Sequence, residues 1–251
     1  MSLLHPERWG PLKDRYETDQ PRKMLALDGG GIRGLITLGI LESIEDQLRE
    51  TIGKGNAEFR LCDYFDYIAG TSTGAIVAAG LARGKSVAEL IKFYQDAGEQ
   101  MFKKEFLLAR LKSLYKADPL RAKLQEVFGA DTTLEPQHLK CLLLAVTRNA
   151  TTDSPWPVSS NPDAKYNDPD RKNNNLRIPL WQLVRASTAA PVYFPPEVLE
   201  WDPNDPKQSF VFVDGGVTPY NNPAFLLYRM ATVAPYRLNW KYLFTSLDAS
   251  E

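Results

Sequence analysis

Cysteine and histidine are the scarcest of the reactive side chains in this 251-residue sequence, with two of each. Cys62 and Cys141 lie far apart and outside any CxxC pattern, so neither a disulfide framework nor a zinc site is implied, and a reducing compartment fits. Histidine is confined to His5 and His138, which leaves little imidazole for a catalytic base. No uninterrupted apolar run is long enough to span a bilayer, and residues 1–22 are polar and Pro-containing, without the apolar core of a signal peptide. A cytoplasmic protein, at most peripheral on a membrane, is the expectation. Neither sign of charge is in excess: 30 Lys and Arg stand against 31 Asp and Glu, a formal net charge of -1. Nucleic acid is therefore not an expected partner. The length suits one domain, expected over residues 23–251 behind an irregular leader at 1–22.

What the chain does have is glycine in runs. Gly70-Thr71-Ser72-Thr73-Gly74 sits between an apolar run, Tyr67 to Ala69, and an Ala-rich segment, Ala75 to Ala82, that reads as a helix. A serine on a sharp strand-to-helix turn, with glycines two residues to either side, has the pattern of a nucleophile elbow in serine acyl hydrolases. The alternative is that Ser72 or Thr71 caps the following helix, since both hydroxyls accept from free N–H groups at a helix start. Earlier, Lys23 to Leu27 reads as a short strand that ends in Asp28-Gly29-Gly30-Gly31-Ile32-Arg33-Gly34. Leu35, Leu38, Ile40, Leu41, Ile44 and Leu48 then recur at helical spacing until Gly53 and Gly55. With Leu61 to Ala69 leading into the serine turn, the strand-turn-helix unit occurs twice before Lys85. That repetition argues for a parallel sheet covered by helices.

Further helices are expected from Ser86, over Asp118 to Phe128, over Leu180 to Ala190 and over Asn222 to Thr232. Between them, Glu99 to Lys116 mixes Phe102, Phe106 and Leu107 with Lys103, Lys104 and Arg110. This basic amphipathic pattern suits a lipid surface or a lid, and equally a surface helix with one core-facing stripe. Leu139 to Thr147 has no alternation and reads as a strand buried on both faces. Ser209 to Val213 and Tyr242 to Leu247 are further expected strands. Arg148 to Asn175, rich in Asn, Asp and Pro, is read as a long loop suited to interfacial binding or to covering a site.

Asp214 ends a strand and precedes Gly215 and Gly216, so its carboxylate is expected at the sheet edge where the serine turn lies, because strand C-termini are where α/β sheets gather ligands. Asp-Gly-Gly is also simply good turn sequence. Neither histidine follows the acidic residue, as the Ser, Asp, His order of the α/β-hydrolases requires, and His138 reads as structural or solvated. A carboxylate is then the base that remains for Ser72. Gly29, Gly30 and Gly31 present backbone N–H groups at a helix N-terminus, which suits a developing oxyanion, each such donor contributing about 3 kcal/mol to the transition state. Arg33 either adds charge there or pairs with Asp28. Gly29, Gly31 and Gly34 also satisfy G-x-G-x-x-G, yet the acid a dinucleotide site wants at the end of the next strand is missing, since Glu50 falls near a helix end. A nucleotide site leaves Ser72 and Asp214 unused, whereas acyl transfer uses all three stretches.

Taken together and in this order, DGGGIRG, GTSTG and DGG resemble the patatin-like phospholipases, relatives of the cytosolic phospholipases A2. Arg185 to Pro196 (RASTAAPVYFPP) resembles the stretch between nucleophile and aspartate in that family, so the likeness runs from Met24 to Asn222. It implies a three-layer α/β/α fold with a mostly parallel central sheet, a Ser-Asp dyad without histidine, and phospholipid or other acyl-lipid substrates met at a membrane surface. Carried over residue by residue, it implies Ser72 as nucleophile, Asp214 as base, and the Gly29, Gly30 and Gly31 amides with Arg33 as oxyanion hole. Gly34, Gly70, Gly74, Gly215 and Gly216 then shape the turns. Neither metal nor organic cofactor is implied. The domains of that family continue past the last strand seen here, so a C-terminally truncated chain is expected. Two other functions compete: a non-catalytic lipid-binding module that keeps the motifs, and a hydrolase of water-soluble esters.

Overall fold

A computed structural model describes residues 3–18, 20–102, 119–171, 173–201 and 205–233. Most of the basic stretch 99–116, with Lys103, Lys104 and Arg110, and the expected strand at 242–247 lie outside the described residues.

The N-terminal stretch, expected to be irregular, forms two 3-10 turns and a one-turn helix, α1 (Lys13–Tyr16). Its order comes from tertiary bonds that composition does not announce. Arg15 Nε reaches Asp66 Oδ1 at 3.0 Å, its NH2 donates to the Phe65 carbonyl, and Trp9 Nε1 donates to Asp163 Oδ2. Trp9 and Tyr16 are buried.

Strand β1 (Met24–Leu27) feeds the first glycine turn and α2 (Gly34–Thr51). Gly34, Leu38, Leu41 and Glu45 make the buried stripe of α2 at helical spacing, which leaves Ile36 and Ile40 facing outward. The stretch from Leu61 to Ala69, read as leading straight into the serine turn, divides into a helical turn, α3 (Leu61–Tyr64), and then β2 (Tyr67–Thr71). After β2 comes α4 (Thr73–Ala82), in which every residue is buried. Ser86 and Glu89 cap the start of α5 (Val87–Phe102) reciprocally, the Ser86 N–H donating to Glu89 Oε2 and the Glu89 N–H to Ser86 Oγ. Helix α6 spans Pro119–Phe128 and the interior strand β3 spans Leu142–Asn149.

The expected loop 148–175 contains a strand, β4 (Ser154–Ser159), antiparallel to β3. Pro155 and Pro157 conceal it in the sequence, yet they are tolerated because, among the described residues, β4 pairs on one side only. The remaining elements are α7 (Leu180–Ser187), β5 (Glu197–Glu200), β6 (Ser209–Asp214) and α8 (Ala224–Thr232).

The strand path is β1-β2-β3-β6-β5, with β4 on the other flank of β3. Strands β1, β2, β3 and β5 run one way, and β4 and β6 run the other. The sheet is thus mixed with most strands in one direction. Alternation along β2 and β3 sorts side chains between two cores. Ile68, Leu143 and Ala145 join α4 and α7 on one face, while Tyr67, Ala69, Leu142 and Leu144 join Trp9, Tyr16 and α8 on the other. This is a three-layer α/β/α arrangement. Among the described residues, no helix is long and apolar enough to cross a membrane.

Candidate active site

Register alone brings Ser72 and Asp214 together. Strand β2 ends with Thr71 opposite Val146 of β3, and on the same flank of β3 the antiparallel strand β6 ends with Asp214 opposite Thr147. Two strands running toward each other therefore stop head to head, at consecutive positions of β3. The sequence places Asp214 at this edge of the sheet without marking the direction of its strand, which runs antiparallel to β3. It reaches the same edge from the opposite direction.

The turn after β2 is as sharp as GTSTG suggests. Ser72 has φ 54° and ψ -125°, a conformation that side chains with a Cβ disfavour. A Cβ on Gly70 would stand 2.1 Å from the Gly74 carbonyl oxygen, and one on Gly74 would stand 2.3 Å from that of Leu27. Glycine is required at both places by close backbone approach. Ser72 is the N-cap of α4 by position, but its hydroxyl does not cap the helix. Instead Ser72 Oγ donates to Asp214 Oδ2 at 2.6 Å. Thr71 does not cap the helix either, because its hydroxyl is bonded to the Tyr220 carbonyl.

Asp214 is buried, at 4% exposure of the residue. Burial raises its pKa above the usual aspartate range, and the bonds from Ser72 Oγ and the Gly216 N–H only partly offset that rise. The Gly216 amide donates to Asp214 Oδ1 at 2.6 Å and so fixes the carboxylate plane. Gly215 lies so close to β3 that a Cβ would meet the Val146 carbonyl oxygen at 2.2 Å.

The glycine run crosses in front of this pair. Its amides have different fates. The Gly29 N–H donates to the Asn221 carbonyl at 3.2 Å, and the Gly30 N–H donates to Thr73 Oγ1 at 3.1 Å. Among the described residues the Gly31 N–H meets no acceptor, and Gly31, at φ 57°, lines a cavity together with Ser72. Asn221 Nδ2 also donates to the Gly29 carbonyl. Tyr94 of α5 lies against Gly34 and donates to the Thr73 carbonyl at 2.8 Å. Arg33 is exposed and, among the described residues, makes no ion pair with Asp28. Glu50 is exposed in the last turn of α2, so no acid ends β2 in the manner of a dinucleotide site.

The cavity measures about 290 Å³, and Ile76, Leu120, Ala190 and Phe194 give it an apolar wall beside Ser72 and Asp214. Neither histidine lines it, and His138 Nδ1 instead accepts from the Thr133 N–H. Among the described residues, none of the 148–175 segment lines it either. Its residues Trp156, Tyr166, Asn167 and Asn175 border a separate space of about 280 Å³. Thr73, Asn221, Tyr94 and Ser187 all hold the site in place; Thr73 and Ser187 fall within stretches that the sequence singles out, whereas Asn221 and Tyr94 carry no local signal. Their partners lie 21 to 192 residues away.

An α/β sheet whose opposed strand ends place a serine on a strained turn, a buried carboxylate and an open amide around one apolar cavity defines a class of three-layer α/β/α proteins with a sharp strand-to-helix elbow. Within that class the chain belongs to the patatin-like phospholipase family, which matches residues 25–228. It is 36% identical over 219 residues to a cGAMP-activated phospholipase of Vibrio cholerae, covering 81% of this chain and 56% of that protein. A cGAMP-activated phospholipase of Escherichia coli is 33% identical over 223 residues, covering 86% and 57%. Patatin-17 of Solanum cardiophyllum is 32% identical over 217 residues, covering 83% and 53%. The chain thus spans about half the length of the curated relatives it matches.

Proposed function

We propose that the protein is a serine-dependent lipid acyl hydrolase that cleaves carboxyl esters of glycerolipids through Ser72 and Asp214. What carries this is the 2.6 Å bond from Ser72 Oγ to Asp214 Oδ2 at the wall of an apolar cavity. As Oγ attacks the ester carbonyl, Asp214 takes its proton, and the raised pKa of the buried carboxylate suits it to hold that proton. The open Gly31 amide stabilises the oxyanion, while the bonded amides of Gly29 and Gly30 keep the loop in register. Collapse of the tetrahedral species leaves an acyl-enzyme on Ser72, and Asp214 returns the proton to the departing lysolipid alcohol. Asp214 then activates water, which releases the fatty acid. Residues 23–251 form the hydrolase domain in this scheme, with residues 1–22 as a packed brace. Tyr193, which lines the cavity, and Ile32 and Val192, each next in sequence to a lining residue, are exposed and suit contact with a lipid surface.

The test is fatty-acid release from mixed phospholipid vesicles by wild type, Ser72→Ala and Asp214→Asn, with chelator present. Because two relatives are cGAMP-activated phospholipases, each protein is assayed with and without cGAMP. Release by wild type in either condition, abolished by both substitutions in folded protein, is the expected result. Lipid binding without release in both conditions would support the non-catalytic module instead, and a preference for short water-soluble esters would support the soluble esterase. Saturable NAD(P) binding lost in Gly31→Val, with activity intact in Ser72→Ala, would support a dinucleotide enzyme.

A further inference from the structure

The last residue of α7 and the turn that follows it touch both halves of the dyad. Ser187 is fully buried, and its hydroxyl makes two bonds: it accepts from the Ser72 N–H at 3.0 Å and donates to the Val146 carbonyl at 2.7 Å. Two residues on, the Ala189 carbonyl accepts from the Asp214 N–H at 3.0 Å. The Ser72 amide belongs to the residue at φ 54°, where the chain turns too sharply for that N–H to find a partner in the sheet or in the helix. Ser187 supplies the partner from a different element. In the same step it anchors the elbow to the β3 position beside which Asp214 arrives.

The same segment also faces the substrate side. Thr188, Ala190, Tyr193 and Phe194 line the cavity. The Thr188 hydroxyl donates back into α7 at the Val184 carbonyl, and the Phe194 N–H donates to the Ala190 carbonyl, so the turn is internally braced. Buried Arg185 donates to the Pro195 carbonyl and lies 5.5 Å from the centre of the Phe194 ring, which ties the far end of the turn down as well.

We propose that Ser187 is a positioning residue of the active site, whose hydroxyl sets the Ser72 backbone so that Oγ meets Asp214. The assignment rests on Ser72 and Asp214 acting as the dyad. Ser187 touches neither substrate nor the reacting atoms, and it acts through the amide it holds. Misplacing a nucleophile by about 1 Å can cost about 100-fold in rate. The expectation for Ser187→Ala is therefore a kcat lowered about 10- to 100-fold with KM within about twofold of wild type, because the apolar wall that receives the acyl chain is unchanged. Ser187→Cys, similar in size with a weaker donor and acceptor, should fall between them.

The experiment measures kcat and KM on phospholipid vesicles for wild type, Ser187→Cys, Ser187→Ala and Ser72→Ala, with active sites counted by titration with a fluorophosphonate. A merely structural role would lower the fraction of titratable sites and leave kcat per site unchanged. A positioning role lowers kcat per site in the order Ser, Cys, Ala. Should Ser187→Ala not fold, the Ser187→Cys rate and amide hydrogen exchange at Ser72 decide, since loosening of the Ser187 bond must speed exchange there relative to wild type. Unchanged kcat per site, or unchanged Ser72 exchange, overturns the assignment. Persistent activity in Ser72→Ala overturns the dyad itself, so the two failures are distinguishable.

Discussion

Replacing Ser72 with glycine and with alanine separates the chemistry of the elbow from its backbone strain. Both substitutions remove the hydroxyl and its 2.6 Å bond to Asp214, so that loss cancels in the comparison. What differs is the cost of holding a Cβ at φ 54°, ψ -125°. A non-glycine residue in such a region costs about 1–3 kcal/mol, and glycine escapes that cost. Against this, glycine loses about 0.5–1 kcal/mol more conformational entropy on folding than alanine. The midpoints of the two ranges predict that Ser72→Gly is more stable than Ser72→Ala by about 1 kcal/mol. At most positions the order is reversed. Urea unfolding followed by far-UV circular dichroism, with m held equal, reads the difference as a shift in midpoint. In a thermal scan of a chain this size, each kcal/mol corresponds to about 2–4 °C in Tm. Alanine equal to or more stable than glycine would refute the strain and with it the geometry assigned to the turn.

Four other outcomes follow from the same geometry. Because burial raises the Asp214 pKa and the base form is the active one, the acid limb of kcat/KM should lie above the ordinary aspartate value of about 4. The native state then holds this proton more tightly than the unfolded chain does. The stability it contributes is present below the ordinary value and lost as pH rises through the native one, so Asp214→Asn should gain stability relative to wild type across that window, read by denaturant titration at several pH values. Gly74→Ala should cost about 2–3 kcal/mol and abolish turnover, because its Cβ would stand 2.3 Å from the Leu27 and 2.7 Å from the Asp28 carbonyl oxygens and push the glycine loop off the elbow. Tyr94→Phe keeps the ring against Gly34 but removes the bond to the Thr73 carbonyl, and should lower stability by about 1 kcal/mol together with kcat. A wild-type unfolding midpoint and kcat in that variant would show the bond to be dispensable.

The parts of the fold legible in the sequence are those where local chemistry and tertiary demand agree. Asp28 to Gly34 and Gly70 to Gly74 end strands, start helices and admit close backbone approach, and each of these demands selects glycine within a few residues. The uninterrupted run at Leu142 to Val146 reads as an interior strand because it is buried on both faces. Strand β4 was hidden by Pro155 and Pro157, whose meaning changes once the strand is known to pair, among the described residues, on one side only. The direction of β6 was equally hidden, since a strand of six residues carries no mark of which way it runs against β3. Within the site, sequence marks Ser72 and the glycines, but which amide stays open depends on Asn221 and Thr73, whose bonds to the loop amides span 192 and 43 residues. The packing of Trp9 and Tyr16 under the sheet was missed for a similar reason, because the Arg15 contacts that order this segment are long-range.

The measurement closest to the central claim is direct observation of the acyl-enzyme. Wild type and Asp214→Asn are mixed with a phospholipid carrying an isotope-labelled acyl chain, quenched in acid within the first turnovers, digested and analysed by mass spectrometry. The mechanism predicts the labelled acyl group on the peptide containing Ser72 in wild type, its absence in Ser72→Ala, and much slower formation in Asp214→Asn. Labelled fatty acid released by Ser72→Ala, or an acyl adduct at a residue other than Ser72, would contradict it.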